Sequence, residues 1–329
     1  MRPAAGLLVA AAALACGCGQ NANSTSTGGS TITVYSLLPL QGRDAPVSHD
    51  IVDGEKLALQ QVNGQVGTLT VNYRSVDTSA KGRVDAIAAA RAARVGAQDI
   101  SAIAAIGALD PVEARVEIPL LNEASIGLVT TAVTDPTLRS TRIYPSGAQT
   151  FSAVVGNAES QARTLAALAR RRCRRAAVLA GTAPQDRALA ALVVGAAPGA
   201  RRVSLADARA VPAGSCVILA ASTPAPAVAA VRVLRAPRGV YAPYALASAR
   251  FTRPVTALVP APPAGAGTTS EFARVFGRRA SPDVLLGHAA MQSVLSAVRA
   301  AGRHGNDRAA VARELQRIRP LPWRATTAR

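Results

Sequence analysis

Lysine is nearly absent from this chain of 329 residues: it occurs only at Lys56 and Lys81, so 35 of the 37 basic residues are arginine. Aromatic side chains make up 3% of the sequence, and there are 4 cysteines and 3 histidines. So few aromatics leave little with which to stack nucleic-acid bases. Four cysteines cannot build a disulfide-dense scaffold. Neither they nor His49, His288 and His304 fall at metal-ligand spacing, so no metal site is expected. No Walker loop, dinucleotide fingerprint or Gly-x-Ser-x-Gly elbow occurs, so no cofactor and no enzymatic activity are expected. An exported α/β enzyme using His49 or Asp110 is the least supported reading.

Apolar residues, at 49%, exclude a disordered chain, and the length exceeds one comfortable core, so two lobes are expected. The net charge is +18. The run Arg170-Arg171-Arg172-Cys173-Arg174-Arg175 reads as a helix C-terminus, whose dipole favours cations, followed by a solvated face. With few aromatics, nucleic acid is not an expected partner. The charge favours contact with anionic lipid or wall polymer.

The first residues carry an export signal. Arg2 precedes an apolar stretch over 6–15 that is too short to span a bilayer. Small residues then lead into Cys16-Gly17-Cys18, a pattern that resembles a bacterial lipobox. Cleavage before Cys18, or before Cys16, would leave a lipidated N-terminal cysteine. Residues 1–17 are then the signal peptide, and 18–30 a polar tether with a reach of roughly 20 Å. The expectation is an exported protein held by its acyl chains on the outer face of the cell membrane.

From Thr31 the pattern alternates. Strands are predicted over 31–36, 69–74, 100–106, 118–122 and 127–131, with helices over 50–62 and 83–95 and a short one from Pro111. Residues 142–147 read as a crossing segment. A helix over 149–170 opens a second unit, with strands over 176–180, 203–205, 216–220 and 239–244 and helices over 185–194 and 225–234. Residues 255–259 read as a return connection, followed by helices over 270–276, 282–301 and 307–318. Asp50, Ser281 and Asn306 are the predicted caps, and the tail from Pro320 has no strong pattern. Strand–helix alternation implies parallel pairing with right-handed crossovers, hence two doubly wound parallel-sheet lobes of α/β class. The partition is 31–143 with about 252–303 for the first lobe and 144–251 with about 304–329 for the second. Cys173 and Cys216 each sit at the start of a predicted strand. If those strands are parallel neighbours, the sulfurs share one sheet edge and a disulfide is expected in an exported protein; two buried thiols are the alternative.

The order of motifs resembles the type I periplasmic binding proteins, extracytoplasmic receptors of branched-chain amino-acid ABC importers. The resemblance is carried by Leu38-Pro39-Leu40-Gln41-Gly42, by Gly54-Glu55-Lys56-Leu57-Ala58 with Val62-Asn63-Gly64, by Asp77, by 103–107 and by 130–138 (TTAVTDPTL). It implies a hinged cleft that captures a small polar, amino-acid-like solute and passes it to an ABC permease. It also implies ligand contacts in the loops at Leu38, Gln41, Ala108, Asp110, Ala132, Thr134 and Thr182. Tyr241 and Tyr244, at a strand end, are candidates for stacking on the ligand. The family's head-group serine is missing from Gly107-Ala108-Leu109-Asp110-Pro111, its crossing-segment acid is Gly147, and His288 stands in its late helix motif. Those departures favour an alternative: a surface sensor or protein-interaction lipoprotein on the same scaffold, without small-molecule binding.

Overall fold

The computed structural model describes residues 25–261 and 266–328. The signal segment, Cys16 and Cys18 lie outside the described residues. The elements run β1 (Thr31–Leu38), α1 (Ala45–Gln61), β2 (Gln65–Val66), β3 (Leu69–Asp77), β4 (Ser79–Ala80), β5 (Arg83–Val84), α2 (Ala86–Gln98), β6 (Ala102–Gly107), α3 (Pro111–Glu123), β7 (Gly127–Thr130) and β8 (Phe151–Ala153). Then follow α4 (Ala158–Arg170), β9 (Ala176–Ala180), α5 (Pro184–Ala196), β10 (Arg201–Ser204), β11 (Cys216–Ala220), α6 (Pro224–Val233), β12 (Gly239–Ala242) and β13 (Val255–Pro260). The chain closes with α7 (Ala266–Phe276), α8 (Pro282–Ala300), α9 (Arg308–Leu315) and β14 (Trp323–Ala328).

Two six-stranded sheets form, each the centre of an α/β lobe. The first has the order β2-β3-β1-β6-β7-β8 and the second β10-β9-β11-β12-β13-β14; β4 and β5 make a separate two-stranded antiparallel sheet. Within the two large sheets all pairings are parallel except β2 with β3 and β14 with β13. Helices cover both faces, which is why β1, β6 and β11 are buried almost end to end and read as continuous apolar runs.

Four local expectations are corrected. Residues 118–122 are the second half of α3, with Pro119 inside it, not a strand. A short apolar run cannot separate the two states by period alone, and here Ile118, Leu121 and Asn122 face the core. The helix expected from residue 149 begins at Ala158, because Phe151–Ala153 adds a sixth strand to the first sheet and Asn157 caps α4. The helix expected from Asp50 begins at Ala45, and Asp50 instead pairs with Arg278 at 2.8 Å. The cap of α9 is Asp307, one residue beyond Asn306, whereas Ser281 caps α8 as expected.

The partition shifts accordingly. Residues 142–147 stay in the first lobe, where the Tyr144 hydroxyl donates to the Leu138 carbonyl, and the crossing comes after β8. β13 is hydrogen-bonded into the second sheet, so the return crossing follows it. α9 packs on β6, β7 and α8 of the first lobe, and only β14 of the tail joins the second. That strand lies in the tail where the sequence has no strong pattern; its Arg-Ala-Thr-Thr stretch is exposed and so has no buried period. Part of the expected tether is also ordered. Thr25 donates to Asp307 at 2.5 Å, and Arg308 N–H donates to the Thr25 carbonyl.

The first lobe depends on a close crossing of α1 and α8. A Cβ at Gly54 would collide with the Val284 carbonyl, and one at Gly287 with the Ile51 carbonyl, so the two backbones touch where side chains would hold them apart. Beside the crossing, Glu55 is fully buried and accepts from the Tyr73 hydroxyl at 2.7 Å. Burial pushes its carboxyl up to about 8, so it is protonated at neutral pH.

In the second lobe Cys173 and Cys216 are joined by a disulfide, their Cα atoms 5.8 Å apart. It links the end of α4 to the first residue of β11, at the sheet edge the sequence indicated. The bridge spans 43 residues. A double Cys173→Ser/Cys216→Ser variant is therefore expected to lose about 4 kcal/mol of stability by the chain-entropy estimate. Denaturant titration of both proteins, with and without reductant, checks this: reductant should destabilise the parent and leave the variant unchanged.

Candidate functional site

In a parallel sheet wound by right-handed crossovers, the strand C-termini and helix N-termini share one edge, where ligands sit. Here those edges of both lobes face one gap. It holds a cavity of about 320 Å³, lined from the first lobe by Arg43, Leu109–Pro111 and 132–135, and from the second by Gln185, Asp186, 222–224 and Pro243. A second hollow along the first-lobe rim shares Arg43, Leu109, Asp110 and Ala132 with it.

The first-lobe wall is built by a few hydrogen bonds. The Thr130 hydroxyl donates to the Ala108 carbonyl at 2.8 Å and accepts from Ala132 and Val133 N–H, which ties the loops after β6 and β7 together. Asp110 caps α3 by accepting from Val112 N–H at 2.7 Å. Glu113 reaches back to the N–H groups of Leu109 and Asp110, completing a capping box. Its other oxygen accepts from Thr78 at 2.6 Å. Burial pushes Glu113 up to about 7 against the pull of these bonds. One turn on, Glu117 is buried without a hydrogen-bond partner, and burial drives it further above the carboxylate range, with Glu113 adding to the shift. Asp135 is held by Arg115 at 2.6 Å.

The second-lobe wall centres on Asp186, buried near the start of α5. Burial raises its carboxyl, while Ser222 hydrogen-bonds to it through hydroxyl and backbone. Gln185 Nε2 donates to the Ser222 hydroxyl at 3.3 Å. Gly181 leaves room for the Asp186 carboxyl, which a Cβ there would push aside. The helices α5 and α6 both open with proline, and neither has a side-chain cap. The positive dipole end of α5 is met from within by the Asp186 carboxyl, which accepts from the backbone of Ala183 and Ser222, whereas α6 has no acid in its first turn.

Of the residues the sequence indicated, the structure brings Asp110, Ala132 and Thr134 together in the cavity wall. The others lie elsewhere. Ala108 is fully buried behind the wall at a φ of +54°. Leu38 packs against Ile51 and Val52, since β1 runs one turn of the ladder further than its period suggested. Gln41 turns to Asp77, donating at 2.6 Å. Thr182 borders a separate hollow on the second lobe, and its carbonyl accepts from Arg187. Tyr241 is a core residue, because strand alternation points it inward. Tyr244 packs on Trp323, ring centroids 5.9 Å apart, and bonds to Asp283 across the lobes. Gln185, Ser222 and Thr223 were missed. Ser222 and Thr223 directly follow the strand read at 216–220, so the strand-end rule alone would have found them.

No family model matches the sequence, and no curated protein matches it. Solved structures do. A leucine-binding protein, LivK, from Thermotoga maritima superposes with a TM-score of 0.67 at 18% identity, over 88% of each chain. An ABC transporter substrate-binding protein from Desulfitobacterium hafniense gives 0.71 at 16% identity, over 87% of this chain and 89% of that one. A solute-binding protein from R. palustris in complex with benzoate gives 0.64 at 14% identity, over 87% and 85%. The architecture is that of the type I periplasmic binding proteins, and the neighbours include those of branched-chain amino-acid transporters.

Because Glu113 titrates near 7 in the fold and near 4.5 in the unfolded chain, its contribution is fully present below about pH 4.5 and is lost as pH rises through 7. Melting curves of the parent and Glu113→Gln between pH 4.5 and 8 are expected to diverge by on the order of 3 kcal/mol, the parent losing ground as pH rises. A gap that does not change with pH would show that the carboxyl is not held protonated.

Proposed function

We propose that this chain is an extracytoplasmic, lipid-anchored solute-binding protein that captures a small polar, amino-acid-like ligand between its lobes and delivers it to an ABC permease. The observation that carries this reading is the interlobe cavity, walled by polar groups from both lobes at their strand C-termini. Its volume of about 320 Å³ suits a ligand on the scale of an amino acid or a benzoate rather than an oligomer. The neighbours' named ligands, leucine and benzoate, are of that scale.

A ligand carboxylate is placed at the start of α6, which has no side-chain cap, with Thr223 as hydroxyl donor. A ligand ammonium or hydroxyl is placed against Asp110 and Thr134. The hydroxyl absent from the loop after β6 is thus supplied by the opposite lobe. Ligand bridging both walls stabilises the closed arrangement because it touches both only there. The anchor follows from the Cys16-Gly17-Cys18 pattern and matches delivery to a membrane partner. The second reading, a sensor or interaction lipoprotein, is favoured by one observation: with Tyr241 in the core, no aromatic side chain lines the cavity.

The full chain screened by thermal shift with amino acids and benzoates at millimolar concentration is expected to melt higher with one class, by about 2.7 kcal/mol at a hundredfold excess over Kd. Thr223→Ala should weaken that ligand at least tenfold, about 1.4 kcal/mol. No response to any of them supports the sensor reading instead.

A further inference from the structure

The second lobe is asymmetric in charge. Between residues 171 and 260 there are only two acids, Asp186 and Asp207, against thirteen arginines. Asp186 belongs to the cleft, and Asp207 lies in the turn after β10. Among the described residues, the opposite edge, where the parallel strands begin, carries no acidic side chain. Read across the sheet in spatial order, the strands β10, β9, β12 and β13 are entered through Arg201, Arg175, Arg238 and Arg253, with Ser215 before β11 in their midst. At about 4.8 Å per strand the row extends for roughly 20 Å.

At its centre is a built hollow of about 300 Å³, lined by Arg174, Arg175, Ser215, Arg238 and the disulfide. The loops that form it are pinned to one another: Arg238 N–H donates to the Ser215 carbonyl and Gly214 N–H to the Ala236 carbonyl. The Cys173–Cys216 bond fixes the third side. Arg174, Arg175 and Arg238 are exposed, and among the described residues none has an ion pair or a side-chain hydrogen bond. Three guanidinium groups held around one hollow without a carboxylate are a receptor for phosphate oxygens, which they bind by paired N–H donors.

We propose that this edge is a second binding site, distinct from the interlobe cleft, that takes a linear phosphate polyanion. A single phosphate would use only the central hollow; the arginine row on both sides of it matches a chain of repeating phosphates. No aromatic side chain stands in the hollow, so bases are not what it reads. Nor does a membrane surface fit: Thr25, the first described residue and part of the expected tether, is fixed to the start of α9 in the first lobe, whereas this edge faces away from the cleft on the second. The site stands independently of the proposed transport role.

The test uses the full chain with inorganic polyphosphate, single-stranded RNA and phosphatidylglycerol vesicles as probes, over a range of salt. Arg174→Gln/Arg175→Gln/Arg238→Gln is expected to weaken polyphosphate at least tenfold and to flatten the salt slope by about 2. Arg91→Gln/Arg94→Gln/Arg299→Gln removes the same charge from exposed helix positions of the first lobe and is expected to change it less than threefold. Arg238→Gln alone should cost a few-fold with the melting temperature unchanged. Equal losses in the two triple variants would reduce the effect to net charge and overturn the site. Tighter binding of RNA, or of vesicles, than of polyphosphate at equal phosphate would overturn its chemistry.

Discussion

The polarity of the parallel strands governs this molecule. Because all strands of the two large sheets but β2 and β14 run parallel, each sheet sends the C-termini of those strands and the helix N-termini to one edge and their N-termini to the other. In both lobes the first edge faces the shared gap, so polar loops and helix dipoles converge there without being neighbours in sequence. In the second lobe the opposite edge gathers the segments that precede strands, and these are the arginine-rich ones. Two surfaces of opposite character thus arise from one topological rule.

The lobes are coupled through short connections that touch one another. Leu321 N–H donates to the Val154 carbonyl, Ala261 N–H to the Pro322 carbonyl, and the Trp323 indole to Ser160 at 2.9 Å. Tyr244 of the second lobe bonds to Asp283 at the start of α8 in the first, and burial with the nearby Asp50 raises that carboxyl to about 6. This set of contacts fixes the lobes at the hinge side while the loops across the cavity remain the part that a bound solute would bridge. The first-lobe wall is stiffened from behind by buried carboxyls. Glu113 exchanges desolvation for three hydrogen bonds that fix the loop it caps, whereas Glu117, with no such bonds, is pushed up by burial and by the neighbouring Glu113.

Much of the fold was legible in the sequence because buried parallel strands and amphipathic helices impose period and composition directly. Residues 31–36 of β1, Cys216–Ala220 and the serine cap of α8 were readable in the sequence. So was the disulfide, since two cysteines at the starts of neighbouring strands fall at one edge. The misread places share a cause. Residues 118–122 are apolar in a run too short to show a period, and Trp323–Ala328 is an exposed edge strand with no buried face. The site was legible only in part. Asp110, Ala132 and Thr134 follow strands directly and stayed in the cavity wall. Tyr241 and Leu38 sit within a strand or at its last residue, where alternation and two more residues of ladder turn a side chain from the gap into the core.

By itself, the sequence determined the fold class, the doubling into two lobes, and the polar loops at strand ends, because each is written in local period or in a contiguous motif. Only the tertiary structure decided which polar loops share the gap, where the chain crosses between lobes, and that scattered arginines line a single edge. Those are relations between segments far apart in the chain, fixed by strand order and by backbone contacts such as Gly54 against α8, and no local pattern encodes them.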